Sequence, residues 1–272
     1  MNADAKTLLA LATPICCAGV LVQSLEVLWN WRELPDGGLL AWTRATTPTA
    51  NPLVRFARAA YQFPGAAIIL AARAAVALAC LVLPYGSASV CALLAALVVA
   101  QLYFNRRFTI LRGNCDTLTL VCLSGAWAGS LPAASARLQA AALGFIAFHA
   151  GLAYVLTGYD KLKSPLWRDG TRLIQILRDG NYRFPPLADA LGRHPRWMRA
   201  GAWGVIALEL LFPLCVVLPP AGFWSVLAGG AVFHAAVAVT MGLHGFWWAF
   251  VASYPAFYFV HTSIAAWLAV NG

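Results

Sequence analysis

Long apolar runs, separated by short stretches rich in proline, glycine or charge, recur along the whole chain. They cover residues 7–29, 64–84, 87–104, 116–131, 138–159, 200–218, 222–241 and 246–270. A run of about 18 to 20 apolar residues is long enough to span a bilayer as a helix. The pattern therefore predicts about eight transmembrane helices. The runs are continuous and lack the alternation of roughly ten-residue strands, which argues against a β-barrel. Breakers separate neighbouring runs: a PYGS turn at 84–87, a PAASAR link at 132–137, Pro219-Pro220, and Gly242 with Gly245. Residues 32–63 are mixed, with prolines and glycines limiting them to short surface pieces at 39–44 and 53–61. Residues 160–200 form the one long polar segment, where Pro185 and Pro186 divide short amphipathic helices at 171–178 and 186–191. No internal repeat or low-complexity linker interrupts the order, so the expected fold is all-α: a single-domain polytopic helical bundle over residues 1–272.

Composition agrees with the pattern. Charged residues make up 11% of the 272, against about 25% in a soluble domain. The first six residues are too weakly basic for a secretory leader, so the first run is expected to remain as a span. A net charge of +9 would suggest nucleic acid in a soluble chain. Here it points to topology and anionic lipid head groups, with no nucleic-acid partner. With eight spans, sixteen of the nineteen lysines and arginines fall on the side that carries the 160–200 segment and two on the other. The positive-inside rule places that segment in the cytoplasm. The seven cysteines have no paired spacing and sit mostly in apolar runs, where cysteine acts as a small hydrophobe. The five histidines reach no compact ligand spacing, and there is no nucleophile elbow or phosphate-cradling glycine loop. No metal is predicted.

Candidate chemistry comes from ionisable groups at membrane depth, each of which costs at least about 2.5 to 3.5 kcal/mol to place there. Arg73, His149, Glu209 and His234 qualify. Glu209 lies ten residues before Pro219 and His234 twelve after Gly222. A rise of about 1.5 Å per residue therefore brings both to similar depth on adjacent antiparallel helices. They either form a polar cluster that ties the bundle together or line a cavity. Lys161 closes an apolar run beside Asp160, with Trp167 six residues on. A lysine at the edge of a dry cavity can become a free amine and act as a base. The alternative is that Lys161 and Lys163 snorkel to the interface while Trp167 anchors there.

Gly158, Lys161, Leu162, Trp167 and Gly170 form a GxxKLxxxxWxxG pattern that resembles the central motif of the vitamin K-dependent γ-carboxylase-like family, also called horizontally transferred transmembrane (HTTM) proteins. Glu209 with Pro213, Phe233-His234, Phe246, and Asn105-Arg106 with Gly113 and Asp116 follow the family's other motifs in order. The resemblance covers roughly residues 100–260. It implies that Lys161 is the base that deprotonates a reduced quinone, with His234 as a cavity group and Glu209 as its polar partner. It also implies that the lysine faces outward, against the charge count. Two departures stand out: there is no large extramembrane domain, and Asp160 occupies the place of the first of two lysines. Both argue against true glutamyl carboxylation. The small bacterial relatives in the family include proteins of peptide maturation. The resemblance thus implies a bacterial plasma-membrane protein with lipids, a peptide substrate or another maturation protein as partners. The alternative is a non-enzymatic maturation, export or immunity component that binds a peptide or lipid.

Overall fold

The computed structural model describes residues 4–42, 58–108, 114–179 and 185–271. The surface piece expected at 53–61 falls mostly outside the described residues, as does Gly113 of the upstream motif. Among the described residues every regular element is helical: α1 (Ala5–Trp29), α2 (Gly65–Val82), α3 (Ala88–Arg107), α4 (Asn114–Ser130), α5 (Ala136–Lys163), the single turn α6 (Pro165–Arg168), α7 (Thr171–Asp179), α8 (Pro185–Gly192), α9 (Pro195–Leu211), α10 (Pro220–Met241) and α11 (His244–Asn271), with 3-10 turns at Trp31–Glu33 and Phe212–Val217.

Local chemistry sets the boundaries. Asp4, Ser87 and Ser135 cap α1, α3 and α5 by accepting from the amides of Thr7, Val90 and Leu138. Each cap satisfies one of the amides that a helix start leaves without an intrahelical partner. Proline occupies the first turn of α6, α9 and α10, where its missing N–H costs nothing. One difference from the expected boundaries bears on the site. The helix expected at 138–159 runs on to Lys163, because no breaker interrupts it before Ser164-Pro165. The motif lysine therefore sits on a helix face rather than in a loop.

Among the described residues, six helical segments are long and apolar enough to cross a membrane: Ala5–Trp29, Gly65–Val82, Ala88–Arg107, Ala136–Lys163, Pro195–Val217 and Pro220–Met241. The outside of the bundle is itself apolar, with Val82 77% and Val232 70% exposed. Such a surface suits hydrocarbon rather than water. The protein is an integral membrane protein. The other two runs, at 116–131 and 246–270, form α4 and α11, which lie outside those six. Both pack on several other helices, although the end of α11 is exposed at Trp267, Leu268 and Val270. α11 packs on α1, α4, α5 and α10, and α4 packs on α1, α3, α5 and α11. α11 is rich in aromatic residues and carries Ser253 and His261 among its buried positions, a composition suited to facing protein rather than lipid.

The main core gathers Leu9, Val20, Leu94, Leu123, Leu143, Ile146, Phe212, Phe250 and Phe257 from six elements. The amphipathic helices α7 and α8 lie across one end of the bundle, next to α9. Arg178 of α7 pairs with Asp189 of α8 at 2.8 Å. That exposed pair contributes at most about 1 kcal/mol, so the position of α7 depends mainly on its apolar face.

Candidate functional site

α5, α9, α10 and the start of α11 enclose a cavity of about 450 Å³, roofed by Trp167 of α6 and by Leu173, Ile176 and Leu177 of α7. That volume is in the range of small-molecule sites. Its walls are mostly aliphatic and aromatic, including Val205, Phe233, Val237, Phe246 and Phe250. The polar groups are few: Tyr154, Thr157, Lys161, Glu209, His234 and Thr240.

Lys161 Nζ donates to both carboxylate oxygens of Glu209, at 2.8 and 2.7 Å. It also lies over the Trp167 ring, 5.2 Å from the centroid. The Glu209 side chain is only 6% exposed and that of Lys161 18%. Water therefore screens this ion pair little, and each charge depends on the other. Gly158 makes the pairing possible. A Cβ there would come within 3.0 Å of Glu209 Cβ and of Leu210 N, so α5 and α9 cross at main-chain distance one turn from Lys161.

His234 belongs to the same cavity but not to the same hydrogen bonds. Its Nε2 meets the Tyr154 hydroxyl at 2.8 Å. One ring face stacks on Phe250, with centroids 4.0 Å apart and planes 13° from parallel. Tyr154 in turn stacks on Phe212 at 3.9 Å. The sequence reading did not single out Tyr154 or Thr157. The available signal was helical spacing, since residues 154, 157 and 161 share one face of a single helix.

The remaining candidates separate into two groups. Arg73, Asn105 and Asp116 meet in a second buried network that, among the described residues, shares no hydrogen bond with Lys161. Arg73 Nη1 donates to Ser24 Oγ at 2.7 Å, and its Nη2 donates to Gln23 Oε1 at 2.7 Å and to Gln101 Oε1. Gln23 Nε2 passes the chain on to Asp116 Oδ1 at 2.6 Å. Gln101 Nε2 donates to Asn105 Oδ1 at 2.7 Å, and Asn105 Nδ2 to the Asp116 carbonyl at 3.3 Å. This network ties α1, α2, α3 and α4 together and borders no part of the cavity. His149, Asp160 and Arg106 belong to neither place. His149 lies beside the exposed rings of Phe145 and Phe148, with its Nδ1 on the Phe145 carbonyl at 2.9 Å. Asp160 and Arg106 are exposed. Among the described residues, no three His, Cys, Asp or Glu side chains gather as a metal site.

The roof is held by Gly170, between α6 and α7. Its φ is +87°, and a Cβ there would lie 2.6 Å from the Met198 carbonyl carbon and 2.7 Å from the Arg199 nitrogen of α9. Beside it, Asp169 caps α7 by accepting from the Thr171 amide at 2.8 Å. That amide holds the Asp169 carboxyl below the usual carboxylate range. Gly170→Ala is expected to cost about 1 to 2 kcal/mol for the left-handed backbone alone, and to push α7 off α9. Hydrogen exchange should then accelerate across 171–179 and stay unchanged in α1 to α4. Unchanged exchange over α7 would show that Gly170 does not fix the roof.

No protein-family profile, characterised protein or solved structure matches this chain.

Proposed function

We propose that the protein is a bundle of eight spans, counting α4 and α11, in which the Lys161–Glu209 cavity binds a lipophilic substrate and moves a proton to or from it. The observation that carries this reading is the ion pair itself, held in the wall of an otherwise apolar cavity. A membrane-spanning bundle has no energetic reason to place a lysine and a glutamate there unless they pair for structure or for chemistry. The cavity beside them favours chemistry.

The resemblance to the γ-carboxylase-like family supplies the candidate substrate, a reduced quinone. Bound there, it supplies an ionisable ring hydroxyl and an electron pair. The residues present suit such a molecule: Phe246 and Phe250 offer ring faces, and Lys161 and Glu209 offer proton-carrying atoms. As paired, the lysine is an ammonium and the glutamate a carboxylate. Lys161 becomes a base by passing a proton along the Nζ–Oε line to Glu209. Its free amine then accepts the substrate's hydroxyl proton. The pair gains one proton overall, and the substrate oxyanion is left beside the renewed ammonium. The roof of α6 and α7 limits the water that reaches that oxyanion.

The test uses protein reconstituted in lipid nanodiscs with reduced short-chain naphthoquinones and benzoquinones in air-saturated buffer, following by absorbance the oxidation of the deprotonated quinol by dissolved oxygen. Lys161→Met is expected to slow the protein-dependent rate by about 100-fold or more, the scale of general-base catalysis. An identical rate in wild type and Lys161→Met, or in the absence of protein, would remove the proton-transfer reading. A second reading has its own support in the mutual satisfaction of the pair: both oxygens of Glu209 are occupied by Lys161. Such a pair can serve as a strut for a cavity that only binds a peptide or lipid during maturation, export or immunity. Lys161→Arg separates the two readings. It keeps the charge and abolishes the basicity, so it supports a binder and inactivates an enzyme.

A further inference from the structure

Consecutive helices joined by a tight link usually lie side by side. α9 and α10, joined through the 3-10 turn Phe212–Val217 and Pro219-Pro220, hardly pack on each other. α9 packs on α5, α6, α7 and α8, and α10 packs on α11 and α7. Both meet the 3-10 turn and diverge from it. The cavity occupies the space between them, lined by Val205 and Glu209 from α9 and by Phe233, His234 and Val237 from α10.

Exposure shows where that space opens. Among the described lining residues Ala236 alone is exposed, and the others are buried or half-buried. Ala236 shares its face of α10 with Val232 and Val239, 70% and 59% exposed, at the spacing of successive helical turns. That face belongs to the apolar outside of the bundle, so the mouth meets acyl chains rather than water. Depth agrees. Ala236 lies fourteen residues after Gly222 and Val205 fourteen before Pro219. Both are thus about 20 to 25 Å from the turn, within a hydrocarbon layer of about 30 Å. The rim is apolar as well: Thr240 Oγ1 donates to the Ala236 carbonyl at 2.7 Å and is satisfied on its own helix, whereas the ion pair lies on α5 and α9.

We infer that the cavity opens sideways into the bilayer between α9 and α10 at Ala236, and that its ligand is a lipid with a compact polar head and one long hydrocarbon chain, the head held inside and the chain passing out over Ala236. The inference rests on the reading that the cavity binds a lipophilic substrate, and it adds the class of lipid and its route. Such a chain does not leave the bilayer for water, because every methylene exposed costs free energy. A lateral mouth spares it that step: the head exchanges lipid for the cavity walls while the chain stays among acyl chains. The small side chain of Ala236 keeps the passage open, which makes this position the one that admits chain-bearing ligands.

Two probes share a 1-naphthol head, which carries an ionisable ring hydroxyl: 2-methyl-1-naphthol, and 2-hexadecyl-1-naphthol with a diazirine midway along its chain. Calorimetry on the protein in nanodiscs, against nanodiscs without protein, measures the short probe. Irradiation and peptide mapping by mass spectrometry locate the chain of the long one, and only labelling that excess short probe suppresses is counted. In the wild type the label is expected on residues 201–208 of α9 and 232–240 of α10. Ala236→Trp should cut that labelling by at least about tenfold while the short probe still binds, since a ring at the mouth overpacks the passage. Val239→Trp, on the same lipid-facing surface but outside the cavity lining, should change neither readout. Label on α7, α8 or α11 in place of these residues would put the chain through the roof or inside the cavity and overturn the inference. Undiminished labelling in a folded Ala236→Trp overturns it as well. Binding of the short probe with no suppressible label overturns it and leaves the cavity reading standing, and binding of neither probe overturns both. The label map is read on the wild type, so an Ala236→Trp variant that fails to fold does not shelter the inference.

Discussion

Glu209→Leu is expected to lower stability by about 3 to 5 kcal/mol, the range for removing one partner of a buried ion pair. The carboxylate is the only anionic group against the Lys161 ammonium in the described contacts, and both of its oxygens accept from Nζ. Without it, the lysine keeps only the Trp167 ring face at 5.2 Å. A ring face offsets roughly 0.5 to 2 kcal/mol of the lost interaction, far less than the cost of an uncompensated buried charge. Lys161 then either loses its proton or draws water into the cavity, and either outcome weakens the contact between α5 and α9. The double variant Lys161→Met/Glu209→Leu is expected to recover most of the loss, because well-packed apolar residues often replace a buried pair without penalty. The measurement is thermal unfolding in detergent across the four members of the cycle. The signature is a double variant more stable than Glu209→Leu alone. Equal stability of Glu209→Leu and the wild type would mean that the pair contributes nothing to the fold.

Arg73→Met is expected to cost a similar amount, about 3 to 5 kcal/mol, for a different reason. Arg73 is 1% exposed, and its guanidinium bonds join Ser24 and Gln23 of α1 to Gln101 of α3. Methionine fills much of the volume but leaves those acceptors without their donor. It also removes the positive charge that the Asp116 carboxylate faces through Gln23. Adding Asp116→Asn should restore part of the loss, since a neutral amide no longer needs the charge. Arg106→Met, at an exposed position on the same helix end as Asn105, should stay within about 0.5 kcal/mol of the wild type. Binding in the Lys161 cavity should survive in the folded fraction, because the two polar centres share no residue. If Arg73→Met is as stable as Arg106→Met, the network is not a tie.

The helices themselves were legible in the sequence, because apolar run length and breakers report on them directly. Counting from the Pro219 turn puts Glu209 and His234 at one level, and both line the same cavity. Rotation was not legible. Helices such as α5 and α10 are apolar on every side, so nothing in their composition tells a lipid-facing position from a protein-facing one. His149 was therefore grouped with the buried candidates, although the fold turns it outward beside Phe148. Partners were equally hidden. Lys161 and Glu209 are 48 positions apart, and Tyr154 and His234 are 80 apart. Arg73, Asn105 and Asp116 build a centre separate from the lysine's, because polar groups buried among helices satisfy the nearest available partners. The charge asymmetry also contains residues engaged internally. Arg107 spends its guanidinium on the Tyr61 and Leu40 carbonyls at 2.6 and 2.8 Å rather than on lipid head groups.

The crossing at Gly158 behaves as a fulcrum. Lys161 sits three residues beyond it on α5, an arm of only about 4.5 Å, whereas the start of α9 at Pro195 lies about 21 Å away at the helical rise per residue. A rocking of α9 that shifts its outer end by about 2 Å would thus displace the charge pair by only about 0.4 Å on the same geometry. The rim of the cavity can breathe, and admit something large, while both hydrogen bonds between Lys161 and Glu209 stay closed.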